Sequence, residues 1–201
     1  MTKIKAVIFD VGGVLHYNSA DLVFNDMAQE MGLTRQEFSN YCEGPFDLFG
    51  RGLIDETEFW RQFVKVAGIK KDAPTYSLWS RKFENVKDLK VLKIVEDLKN
   101  KGIKVAVCSN TIVPHAAVNR ENGTYDLFPV VVLSNEVGFR KPDSKIFEIT
   151  LYKLEITPDE AVFVDDGEDN IIAAEKMGMK GVLFKNAEQL RVDLIKLNIY
   201  S

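Results

Sequence analysis

Residues 4–15 read Ile4-Lys5-Ala6-Val7-Ile8-Phe9-Asp10-Val11-Gly12-Gly13-Val14-Leu15, a short apolar run that stops at an aspartate and then turns on two glycines. A run of this length, rich in β-branched residues and bounded by turn residues, is the pattern of a strand buried on both faces of a parallel sheet. Four further runs share it, at 103–108, 130–133, 161–164 and 181–184. Amphipathic stretches with helical spacing lie between the last four, at 114–122, 144–153 and 170–177, and another at 86–101 precedes the second run. This alternation predicts an α/β fold with a doubly wound parallel sheet.

The first two strands are separated by far more chain than a crossover needs, and residues 21–81 hold no good strand candidate. They read as an inserted α-helical domain with helices at 21–31, 34–42, 56–67 and 74–83, broken at Gly32, at Gly44-Pro45 and at Gly68. The expected division is a core of residues 1–15 and 87–201 and a helical cap of residues 16–86. Within the cap, Trp60, Trp79, Phe46 and Phe49 read as packing residues rather than a substrate box.

In 201 residues, 46% hydrophobic and 28% charged, no apolar run approaches the ~18 residues of a membrane span, and the start of the chain lacks a signal-peptide pattern. A soluble, cytoplasmic protein with no membrane partner is expected. The net charge of −4 and the lack of a Lys/Arg block argue against a nucleic-acid partner. Cys42 and Cys108 are far apart in the chain and read as packed thiols rather than a disulfide or zinc ligands.

Ligands of open parallel sheets bind beyond the carboxyl ends of the strands, so the residues that end the strands carry the chemistry. The first strand ends in Asp10, the second in Ser109-Asn110 and the fourth in Asp165-Asp166, while Lys141 follows the third in Arg140-Lys141-Pro142-Asp143. Each has an ordinary structural reading as a cap, a turn or a solvated lysine. Together at one sheet edge they form a coherent set. Three clustered carboxylates repel one another and would repel a phosphate unless a hard cation with oxygen ligands, such as magnesium, shares the site. Gly12-Gly13 lets the backbone approach an anion closely.

These segments resemble the motifs of the haloacid dehalogenase superfamily, in its branch with a helical cap inserted after the first motif. The four motifs are 9–15, 108–110, 140–143 and 164–170, in order over nearly the whole chain, and the stretch from Gly52 to Trp60 resembles a cap segment of related phosphatases. The resemblance implies that Asp10 is a nucleophile forming an aspartyl-phosphate, and that Ser109 and Lys141 hold the phosphoryl oxygens, with Asn110 beside them. It implies a magnesium ion on Asp10, the carbonyl of Gly12 and Asp166, with Asp165 and Asn170 in support. The expected activity is magnesium-dependent hydrolysis of a small phosphorylated metabolite.

One position departs from the pattern. Phosphatases of this superfamily carry a general acid/base aspartate two residues after the nucleophile, where this chain has Gly12. Sugar-phosphate phosphatases with a glycine there also occur, whereas dehalogenases lack both that aspartate and the acidic pair in the fourth motif. A 2-haloacid dehalogenase and a catalytically weak binding protein are therefore the alternatives. His16, past the first motif, reads as a solvated hinge residue that otherwise would face the site, and His115 reads as structural.

Overall fold

The computed structural model describes residues 3–17, 20–69, 77–83 and 86–200. Five strands, β1 (Ala6–Phe9), β2 (Lys104–Ser109), β3 (Val130–Leu133), β4 (Ala161–Asp165) and β5 (Lys180–Leu183), form one sheet in the order β3-β2-β1-β4-β5. Every pairing is parallel. The chain adds β2 and β3 on one side of β1, then crosses to add β4 and β5 on the other. The switch point therefore lies at β1, as a doubly wound sheet requires.

Alternation along the strands builds two cores. Val7, Phe9, Val105, Val107, Val162 and Val164 face α5 (Leu89–Asn100) and α10 (Ala187–Lys196), meeting Val91, Ile94, Leu98, Leu190 and Leu194. The intervening residues Ala6, Ile8, Ala106, Cys108 and Phe163 face α8 (Ser144–Leu154) and α9 (Glu168–Lys176), meeting Phe147, Leu151, Ile171 and Ala174. With both faces covered, the strands need no polar alternation, which is why they read as continuous apolar runs. Helix α10 is absent from the sequence reading, although Asn186 caps it through the Gln189 N–H at 2.8 Å and Leu190 and Leu194 repeat at helical spacing.

Between β1 and α5 come α1 (Ala20–Met31), α2 (Arg35–Gly50), α3 (Glu56–Ala67) and α4 (Leu78–Lys82). Their apolar faces share a third cluster, with Met27, Phe38, Phe49, Phe59, Trp60, Phe63 and Trp79 closed against Ile112, just before α6 (Val113–Glu121). Trp60 stacks on Trp79 with ring centroids 6.0 Å apart, and Phe49 on Phe59 at 5.2 Å. Trp60, Trp79 and Phe49 are thus packing residues, as expected.

Two expectations about the helices change. The predicted break at Gly44-Pro45 does not occur, and α2 runs through both residues. Phe38, Cys42, Pro45 and Phe49 are buried along one face of the helix, so packing against the third cluster offsets the roughly 3 kcal/mol that an interior proline costs. The helix expected from residue 86 begins only at Leu89, where Asp88 accepts from the Lys90 and Val91 N–H groups. Part of the expected helix at 74–83 lies outside the described residues, and the remainder is α4. A one-turn helix, α7 (Ser134–Val137), follows β3 and was not anticipated.

Candidate active site

The parallel register decides which side chains meet. Phe9 pairs with Val107 on one side and Val164 on the other, so one step on Asp10 stands beside Asp165 at the carboxyl edge. The Asp10 N–H continues the ladder to the Val164 carbonyl at 2.9 Å. Oxygens of Asp10, Asp165 and Asp166 can all lie within 4.8 Å of one another. Lys141 reaches into this group, its Nζ 2.8 Å from Asp10 Oδ1 and 2.6 Å from Asp165 Oδ2. Asp10, Asp165 and Lys141 are buried, while Asp166 is exposed.

Each position is enforced by its neighbours. Lys141 sits in a loop, yet its backbone is clamped by Asn110, which accepts from the Lys141 N–H at 2.7 Å and donates to the Lys141 carbonyl at 2.9 Å. Asp165 is held on both sides, one oxygen facing Lys141 and the other accepting from the Gly167 N–H at 2.8 Å and Asn170 Nδ2 at 3.0 Å. Asn110 and Asn170 therefore orient charged neighbours. Gly13 takes φ +80°, and a Cβ there would lie 2.0 Å from Asp166 Oδ2, so only glycine lets that carboxylate sit over the loop. Gly12 is different: its φ lies outside the left-handed region, and a Cβ there would meet nothing within 4 Å.

Burial pushes the Asp10 carboxyl up to about 6, with Lys141 opposing the shift and Asp165 adding to it. Burial disfavours the Lys141 ammonium, but the two carboxylates outweigh it and raise its pKa. Three carboxylates against one ammonium leave two negative charges when all are ionised, which one divalent cation neutralises. The donor set, all oxygen at one sheet edge, fits magnesium.

His16 overturns the expectation of a solvated hinge. It is buried, its Nε2 lies 3.1 Å from Thr124 Oγ1, and burial together with Lys87 lowers its pKa to about 4. Position 124 is too distant in sequence for any local pattern to reveal this. His115 fits its structural reading, stacked on Phe83 with ring centroids 4.0 Å apart and its pKa lowered by burial to about 4. Sequence reasoning missed Ser134. Its Oγ accepts from the Thr111 N–H at 2.9 Å and donates to the Gly50 carbonyl at 2.6 Å, tying the end of α2 to the loop after β2.

Relatives of similar length match the chain over nearly its whole extent. The chain is 28% identical to a sesquiterpene phosphatase, astK, of Aspergillus oryzae, over 90% of each chain. It is 27% identical to a D-ribitol-5-phosphate phosphatase of Bacteroides thetaiotaomicron, over 95% of this chain and 97% of that one. A HAD family enzyme of Bacteroides thetaiotaomicron, solved in complex with magnesium and inorganic phosphate, superposes with a TM-score of 0.69 at 25% identity, covering 90% of this chain and 94% of that one. The haloacid dehalogenase-like hydrolase family matches residues 4–178, which span β1 and the edge that carries Asp10, Ser109, Lys141 and Asp165, and the chain belongs to that family.

Proposed function

We propose that the chain is a magnesium-dependent phosphatase acting on a small phosphorylated metabolite through Asp10. The observation that carries the reading is the charge of the site, three carboxylates around one buried lysine at the open edge of the sheet. Asp10, the Gly12 carbonyl and Asp166 would hold magnesium, which lowers the repulsion between carboxylates and phosphate. Both oxygens of Asp165 are already engaged, which assigns it to orienting Lys141.

Asp10 attacks phosphorus, the bond to the alcohol oxygen breaks, and an aspartyl-phosphate forms. Water then attacks this intermediate, releasing phosphate and restoring Asp10. Lys141 and Ser109 bind the phosphoryl oxygens, and Asn110 acts through its clamp on Lys141. With glycine at position 12, the departing alkoxide takes its proton from water. Residues 16–86 serve as a cap over the edge of the core, residues 1–15 and 87–201, and exclude bulk solvent.

The acidic pair Asp165-Asp166 favours this reading over carbon–halogen chemistry, which calls for no cation. The names of both relatives describe phosphatases, one of a terpenoid and one of a polyol phosphate. Hydrolysis of p-nitrophenyl phosphate should require magnesium, stop with a chelator, and fall by at least ~10³ in Asp10→Asn with the fold retained. Metal-independent release of halide from a 2-haloacid would establish the dehalogenase instead. Phosphate binding without turnover would establish a binding protein.

A further inference from the structure

A cavity of about 390 Å³ is lined by Gly12, Ser109 and Asn110 at the sheet edge and by residues of the inserted helices. Apolar lining comes from Val23, Phe24, Phe46, Phe83 and Ile112. Phosphate held by Ser109 and Lys141 therefore directs its leaving group into this space. A Cβ at Gly12 would meet no atom within 4 Å, so there is room beside this residue.

Apart from two ring nitrogens, His16 Nδ1 and His115 Nε2, most polar side chains on the wall already have partners. Arg35 donates to Asp21 Oδ1 at 3.2 Å and to Ser39, with its guanidinium lying 4.6 Å above the Phe24 ring. Arg140 donates to Asp47 at 3.4 Å. Asn110 spends both ends of its amide on the Lys141 backbone, Ser134 is held by Gly50 and Thr111, and Asn119 donates to the Tyr125 hydroxyl at 3.2 Å. Beyond what those two nitrogens can serve, the hydroxyls of a polyol placed here would break these bonds or be buried unsatisfied, and either is unfavourable. A hydrocarbon asks for no such bonds and gains from leaving water.

Resting on the phosphatase reading, we propose that the substrate is the phosphomonoester of a predominantly apolar alcohol. At about 30 Å³ per non-hydrogen atom in a liquid, the cavity holds roughly a dozen carbons. The phosphorus–oxygen bond to that alcohol breaks as Asp10 bonds to phosphorus, the alkoxide takes a proton from water, and hydrolysis of the aspartyl-phosphate yields inorganic phosphate.

The test is a series of primary alkyl phosphates from ethyl to decyl, compared with five- and six-carbon polyol phosphates, all with magnesium. The leaving alkoxides within the alkyl series have nearly equal basicity, so the missing acid at position 12 affects them alike. The expected result is a kcat/KM that rises roughly threefold to fourfold per methylene and exceeds that of polyol phosphates of equal carbon number. Val23→Phe, which fills the wall, should move the optimum to shorter chains, and Val23→Leu should do so by less. Binding of alkylphosphonates to wild-type protein with magnesium, measured by calorimetry, should tighten along the same series. Polyol phosphates turned over as well as alkyl ones, or rates and affinities indifferent to chain length, would overturn the inference while p-nitrophenyl phosphate hydrolysis left the phosphatase reading standing. Absence of magnesium-dependent hydrolysis of every phosphomonoester would overturn both.

Discussion

Gly12 and Gly13 are adjacent, and their environments differ in every respect that matters. A Cβ at Gly12 would enter open space from a backbone outside the left-handed region, whereas Gly13 sits at φ +80° with the Asp166 carboxylate pressed against it. Gly12→Asp should therefore fold with little loss of stability and place a carboxyl where a leaving alkoxide departs. General acid catalysis is worth about 10²–10⁴ in rate, and the gain is greatest for basic leaving groups. Turnover of alkyl phosphates should rise in the variant by at least ~10-fold more than turnover of p-nitrophenyl phosphate. An unchanged leaving-group dependence in a folded, magnesium-competent Gly12→Asp enzyme would show that another group already supplies the proton. Gly13→Ala is the contrasting control: its methyl would collide with Asp166, and magnesium affinity should fall.

The elements meet at joints that local patterns do not disclose. Gly52, just past α2, takes φ +68°, and a Cβ there would lie 2.1 Å from the Asn135 carbonyl oxygen in α7. Ser134 and the Arg140–Asp47 pair bind the same joint. Gly52→Ala should destabilise the protein by about 1–3 kcal/mol through backbone strain and the collision, lowering Tm by roughly 2–10 °C. Hydrogen exchange should quicken at residues 48–53 before it does in β1, and an unchanged Tm would mean that the joint yields freely. The same contrast explains what could be read from sequence. The strands were legible because burial on both faces leaves an unbroken apolar run, and the positions of Asp10, Ser109 and Asp165 were legible because they stand where strands end at the carboxyl edge. Proline at position 45 misled because its cost is local, while the burial of Phe38, Cys42 and Phe49 that offsets it is tertiary. The Asn110 clamp and the Thr124 contact of His16 arise only when the sheet brings distant loops together.

His16 is buried and His115 half-buried, both neutral near the seam between the helical unit and the sheet, and they set how the whole molecule responds to acid. Their folded pKa values of about 4 lie below the ordinary 6.5, so between those values the unfolded chain binds more protons than the native one. Their contribution is complete above pH 6.5 and is lost as pH falls toward 4. Asp10 acts in the opposite sense without metal, because its carboxyl is raised to about 6 from 3.8 and the native state holds that proton first. Between pH 6 and pH 5 unfolding thus takes up two protons at the histidines and releases one at Asp10. In the presence of a chelator, stability should fall by about 1.4 kcal/mol over that unit of pH, the value of one net proton. Asp10→Asn removes the opposing carboxyl and should roughly double the slope, while His16→Asn should bring it close to zero. Magnesium, by keeping Asp10 ionised, should steepen the wild-type slope toward that of Asp10→Asn. Urea midpoints at the two pH values measure each case, and slopes that ignore these substitutions would show that other groups govern the acid response.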